Sequence, residues 1–139
     1  MDYRVFDERI VLRLEKGEEV IESIKKVCEE QKIIAGSISG LGATNHVVVG
    51  LFKPNEKKYY SSTYEDDFEI TNITGNISVM DEEVYLHIHG TFANLEGKCI
   101  GGHLNKAVIS ATAEIIINRI NGAIGRKFDE NIGLNLIEF

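Results

Sequence analysis

Cysteine, proline, basic side chains and long apolar runs are all scarce in this sequence, and each scarcity narrows what the chain can be. Its two cysteines, Cys28 and Cys99, fall in no C-x-x-C pair, and two thiols at unrelated spacing cannot frame a disulfide-stapled fold. Both read as reduced thiols, with Cys28 in a helical pattern and therefore in the core. The one proline, Pro54, stands in the polar stretch Lys53-Pro54-Asn55-Glu56-Lys57-Lys58, which reads as a surface turn. Lysine and arginine number 15 against 22 acids, for a net charge of −7, so the average field repels phosphate backbones and anionic lipid. Direct DNA binding needs a contiguous basic face, whereas Lys25, Lys26, Lys32, Lys57, Lys58, Arg126 and Lys127 read as scattered solvated charge. No stretch approaches the ~20 apolar residues of a membrane span. The start, Met1-Asp2-Tyr3-Arg4-Val5-Phe6-Asp7-Glu8, carries acids and no long apolar run, unlike a signal or transit peptide. The expected location is the cytoplasm.

What the sequence does contain is ordinary globular material. Its 139 residues are 43% hydrophobic and 27% charged, which suits a single domain over residues 1–139. A domain of this size buries roughly 70% of the surface its unfolded chain exposes, so it needs no disulfide or metal to stay folded. Any metal it holds is therefore functional. Runs rich in β-branched residues predict strands at Val5-Phe6, Ile10 to Leu14, Ile33 to Ser39, Asn45 to Phe52, Lys58 to Thr63, Phe68 to Thr74, Asn76 to Met80, Val84 to Ala93, Lys98 to His103, Ala107 to Ile120 and Leu134 to Ile137. One helix is predicted from Glu18 to Gln31, where Val20, Ile21, Ile24, Val27 and Cys28 recur at three and four residues. The fold class is α+β, mainly antiparallel β-sheet flanked by a small number of helices.

The segment Val84-Tyr85-Leu86-His87-Ile88-His89-Gly90-Thr91-Phe92-Ala93 alternates apolar and polar residues. A strand's period of two puts His87 and His89 on one face, their Cα atoms about 6.6 Å apart. Leu95-Glu96-Gly97 suits a three-residue hairpin loop with Gly97 in the left-handed position. Asn94 then pairs with Lys98, and counting outward sets His89 opposite His103. Cross-strand Cβ atoms lie about 5 Å apart, so the three histidines converge. Gly101 and Gly102 beside them mark a bulge or a close approach of another group, either a ligand or a neighbouring backbone. Three neutral imidazoles suit Zn²⁺ first, with Fe, Ni, Co or Cu also admissible, and an open fourth position takes water or a ligand.

Other residues carry less. Ser39-Gly40-Leu41-Gly42-Ala43 lacks the third spaced glycine of a dinucleotide fingerprint, a P-loop lysine and a following helix, and reads as a tight turn between strands. Glu69 and Glu114 each place a carboxylate in an apolar strand. Near the histidines, either could serve as a fourth ligand or accept a proton from metal-bound water. Cys99 shares the face of His103 but lies about 13 Å along the strand. His46 reads as a structural or surface residue.

The ordered set Leu41-Gly42-Ala43, Phe68-Glu69-Ile70, Gly75-Asn76-Ile77-Ser78, His87-Ile88-His89, Gly101-Gly102-His103 and Thr112-Ala113-Glu114-Ile115 resembles the PPC (plant and prokaryote conserved, also written PCC) domain family. The resemblance implies an antiparallel sheet flanked by helices, a homotrimer, and a metal held by His87, His89 and His103. Bacterial members are often labelled predicted DNA-binding proteins, and plant members carry a separate basic AT-hook that this chain lacks. The plant pattern has Gly-Arg where this chain has Asp66-Asp67. The family is also similar in fold to acetolactate decarboxylase, which uses a three-histidine zinc site. Three expectations follow: a homotrimeric metal-binding module, acting on DNA through partners if at all; a metal-dependent lyase or hydrolase for a small anionic substrate; and a direct DNA binder.

Overall fold

The computed structural model describes residues 1–139. Strands β1 (Asp2–Phe6) and β2 (Arg9–Glu15) precede helix α1 (Val20–Glu30). The other strands are β3 (Gly36–Lys53), β4 (Lys58–Met80), β5 (Glu83–Ala93), β6 (Cys99–Arg119), β7 (Gly125–Asp129) and β8 (Leu134–Glu138). A turn of 3-10 helix at Pro54–Glu56 occupies the predicted surface turn. The result is the expected antiparallel sheet with a single α-helix. No helix is long and apolar enough to cross a membrane.

Residues in β2 show why it is a strand: Ile10, Leu12 and Leu14 are buried and the residues between them exposed, the period of a sheet with one wet face. The helix is shorter than its apolar repeat predicts because both leading glutamates act as acceptors instead. Glu19 is the N-cap, and its carboxylate accepts from the Glu22 N–H at 2.8 Å and, across the domain, from the Ala107 N–H at 2.9 Å. Glu18 accepts from the Glu15 N–H and pairs with the amino terminus at 2.6 Å. The apolar stripe of α1, with Cys28 in it, packs on β5 and β6.

The predicted strand series is too finely divided. Residues 36–53, 58–80 and 99–119 each form one long strand where the sequence suggests two, three and two. Register shifts explain the difference: β3 is irregular at Gly40/Gly42 and Thr44/His46, β4 between Ile70 and Asn72, and β6 opposite Val48/Val49. One extra residue in a strand reverses which parity faces inward. Buried positions accordingly switch from Ile38 to Val47 and Val49, from Phe68 and Ile70 to Ile73 and Ile77, and from Leu104 to Ala107 and Ile109. A broken alternation looks like a strand end when read from sequence. Ser39–Ala43 is therefore no turn: Gly42 lies where a Cβ would come within 2.5 Å of the Thr112 carbonyl oxygen, so its role is close approach of β6.

Strands β3, β4, β5 and β6 close on themselves, each pairing with two of the others, and β1–β2 extends β6 while β7–β8 extends β4. One cluster of 23 buried residues fills the inner side under α1. Each fully buried Ile, Leu or Phe in it contributes about 1.5–3 kcal/mol relative to exposure. The outer face of β4–β5–β6 is left for polar side chains.

Candidate metal centre

The β5–β6 hairpin closes through Asn94, whose N–H donates to the Lys98 carbonyl at 3.0 Å and whose side chain accepts from the Glu96 and Lys98 N–H groups. Gly97 takes φ +73°, the left-handed conformation such a loop requires. From this turn the register runs Ala93 to Cys99, Thr91 to Gly101 and His89 to His103. Beneath the hairpin, Ile88, Phe92 and Leu104 are buried, which holds His87, His89 and His103 on the opposite, outer face. For His103 this depends on the irregularity at Asn105. With Ala107 and Ile109 facing inward, an uninterrupted strand would turn residue 103 inward as well.

The three imidazoles meet. Ring centroids are 5.1 Å apart for His87 and His89, 5.3 Å for His87 and His103, and 5.6 Å for His89 and His103. One ligating nitrogen from each lies within 4.8 Å of the others. Tetrahedral zinc with bonds near 2.05 Å sets its nitrogens about 3.4 Å apart, which modest ring rotations reach. Burial pushes the His87 and His103 imidazoles below their ordinary range; His103 and His89 push His87 down further and His89 does so for His103, with Arg126 adding to the effect on His87. Both are therefore neutral at neutral pH, the form that ligates. The donor set fits a divalent transition metal.

Beside the rings lies an open cavity of about 200 Å³ lined by Thr74, Gly75, Asn76, His87 and His89. Its floor is β4, with Asn76 opposite His87 and Thr74 opposite His89. Gly101 and Gly102 answer to neighbouring backbone, since a Cβ on either would come within 2.6 Å of the carbonyl oxygen of Gly90 or Gly50.

Neither carboxylate singled out from the sequence reaches this place. Glu69 stands opposite Ala93, four residues along β5 from His89 and so about 13 Å away. Glu114 pairs with Leu41 and Arg13, beyond the irregular segment of β3. Both are exposed, and the bulges that carry β3 and β4 around the domain separate them from the histidines. His46 contacts Glu65 at 3.2 Å on the surface. Cys99 is exposed and Cys28 is buried, which pushes its thiol up to about 12.

Two side chains around the centre escape a reading of the sequence. The Tyr59 ring packs edge-on to His103 with centroids 5.9 Å apart, and its hydroxyl donates to Asn105 Oδ1 at 2.6 Å. It covers Gly50, where a Cβ would lie 2.0 Å from the tyrosine oxygen. That glycine within an apolar strand was the available signal. Arg126 comes from β7, stacked on Tyr85 at 4.7 Å with Nε donating to Ser78 Oγ at 2.7 Å. No pattern around Arg126 marks it.

Comparison with known proteins places the fold that carries these side chains. No curated protein matches the sequence. Among solved structures, a protein from Bacteroides thetaiotaomicron described as a candidate DNA binder superposes with a TM-score of 0.97 at 31% identity, covering 99% of this chain and 96% of that one. A metal-containing protein from Archaeoglobus fulgidus gives 0.88 at 30% identity, covering 99% and 97%. A plant- and prokaryote-conserved protein from Pyrococcus horikoshii gives 0.87 at 29% identity, covering 99% and 95%. The fold extends distantly to acetolactate decarboxylase of Bacillus subtilis, with a TM-score of 0.56 at 15% identity over 84% of this chain and 54% of that one. The sequence profile of the Plants and Prokaryotes Conserved (PCC) domain matches residues 1–121. This chain belongs to the PCC domain family.

Proposed function

We propose that this protein is a divalent-metal-binding module, with zinc the metal, held by His87, His89 and His103 and acting as a homotrimer. The observation that carries the reading is the convergence of three imidazole nitrogens within 4.8 Å, with no other ligand type among them. Three histidines leave a fourth position for water or a small ligand, and the cavity along Asn76 and Thr74 opens beside them. A metal bound there would act as a Lewis acid toward an oxygen donor. The metal-containing Archaeoglobus relative supports the reading.

Trimer assembly draws support from the apolar side chains left outside the core. Phe128, Ile132, Leu134, Leu136 and Ile137 are exposed on the β7–β8 ribbon, and Leu51, Tyr59, Tyr60 and Tyr64 on the β3–β4 arm. Strand β8 is also a free sheet edge, and exposed apolar patches and edges are what association covers. The lyase or hydrolase alternative has less behind it, because Glu69 and Glu114 lie too far off for acid–base work. Direct DNA contact is disfavoured by the net charge of −7, and several of the cations, Lys25, Lys26, Lys53 and Lys98, stand beside glutamates. A DNA role then runs through partners.

Elemental analysis of the chain purified without chelator, beside the His87→Ala/His89→Ala variant and with the solution mass of both, tests this. The expected result is about one zinc per wild-type chain, almost none in the variant, and a trimer mass. A wild type free of transition metal sinks the metal reading, and a monomer mass sinks the assembly.

A further inference from the structure

Arg126, one step along the sheet from the histidines, carries a charge that no acid of the chain answers. It is half-buried, and none of the chain's ion pairs includes it. Its guanidinium is nonetheless fixed: Nε donates to Ser78 Oγ at 2.7 Å, Nη1 donates to the Asn135 carbonyl at 2.8 Å, and the plane stacks on Tyr85 at 4.7 Å. A guanidinium has five N–H donors, so several remain without a protein acceptor. Tyr85 lies two residues before His87 on the same face, about 6.6 Å away, and pairs with Ser78 as His87 pairs with Asn76. The guanidinium and the imidazole trio thus occupy successive steps along one polar face.

A fixed cation beside a metal site is repulsive unless an anion joins them. The cavity itself is lined by Thr74, Gly75, Asn76 and two of the histidines, with no lysine or arginine, and Arg126 stands outside it beside Tyr85 and Ser78. One guanidinium matches a singly charged planar carboxylate through its parallel donors; a phosphate dianion would call for a second cation or a cradle of N–H groups. We propose that Arg126 is the specificity-determining residue of the histidine site and selects a short-chain dicarboxylate, one end on the metal and the other on the guanidinium. The inference rests on the metal reading above. Arg126 lies beyond residue 121, where the match to the family profile ends, and it comes to Ser78 and Tyr85, one step along the sheet from Asn76 and His87, because the β7–β8 ribbon folds back beside β4 and β5.

The test is calorimetric titration of the zinc-loaded full chain with succinate and with acetate, for the wild type, Arg126→Gln and Arg126→Lys, with zinc content measured on every sample. Succinate reaches both ends and acetate only one. The wild type is expected to prefer succinate. Arg126→Gln should cut that preference about 10- to 100-fold, the worth of a charge-assisted contact, and Arg126→Lys, which keeps the charge and loses the fork, should fall between. A wild type with no preference, or a preference undiminished in fully zinc-loaded Arg126→Gln, overturns the role of Arg126 and leaves the metal reading standing. A wild type that takes up no zinc overturns both. If Arg126→Gln does not fold, the lysine variant decides: a preference equal to that of the wild type contradicts selection by the guanidinium.

Discussion

The β5–β6 and β7–β8 hairpins are both antiparallel ribbons closed by short turns, but they stand on different ground. Ile88, Phe92 and Leu104 lie beneath the first, each at most 3% exposed. Under the second no residue is buried, and Phe128, Leu134, Leu136 and Ile137 are exposed. Polar ties hold the second in place: Arg126 to Ser78, Lys57 to the Glu130 carbonyl, and the Val79 N–H to the Ile124 carbonyl at the ribbon's start. A ribbon over a core has its register fixed by which side chains are buried, so its outer face can present three histidines reproducibly. A ribbon without a core can be positioned by a few hydrogen bonds, and it leaves apolar surface for association.

The largest effect that would sharpen this contrast is expected under the first hairpin. Phe92→Ala removes a fully buried ring that also covers Gly90, where a Cβ would lie 2.6 Å from the ring. Its stability should fall by about 3–5 kcal/mol, read from denaturant unfolding; a loss under about 1 kcal/mol would show that the hairpin does not rest on this packing. Next comes Gly102→Val, which sets a side chain against the Gly50 carbonyl oxygen, 2.6 Å from the position of Cβ. The cost should be about 1–3 kcal/mol, and zinc affinity should drop because β6 carries His103 away from its partners. Unchanged zinc binding would mean that the position of β6 does not set the trio.

In the second hairpin, Leu136→Asp should leave the fold intact and move the solution mass toward the monomer, since it puts a charge on an exposed apolar strip. A mass equal to that of the wild type removes the ribbon from the assembly surface. The smallest effect concerns pH. His87 and His103 titrate below their unfolded values, so protons bind the unfolded metal-free chain more readily. Their contribution to stability is full above about pH 6.5 and is lost as pH falls through the lowered folded values. Unfolding midpoints of the metal-free protein should decline from pH 7.5 to pH 5, and the decline should shrink in His87→Ala/His103→Ala. An equal decline in that variant would assign it to other groups.

Much of this was legible in the sequence where a turn and a core act together. Leu95-Glu96-Gly97 fixed the register that sets His89 against His103, and the alternation around Ile88 fixed their face. The long strands were less legible, because extra residues near Gly42, Asn45, Thr71 and Asn105 invert the inward parity and imitate strand ends. Glu69 and Glu114 looked eligible because a strand pattern says nothing about distance around a closed sheet. Arg126 was not legible at all: Gly-Arg-Lys-Phe-Asp has no alternation, and its place depends on hydrogen bonds to Ser78 and Asn135, one of them 48 residues away.

The central claim is that one ion sits among His87, His89 and His103. Anomalous diffraction from crystals of the zinc-loaded protein, recorded above and below the zinc edge, tests it most directly. The account predicts one strong peak per chain, about 2.0–2.1 Å from a nitrogen of each of the three imidazoles. Zinc-loaded crystals with no peak there, or with the ion on other residues, would contradict it.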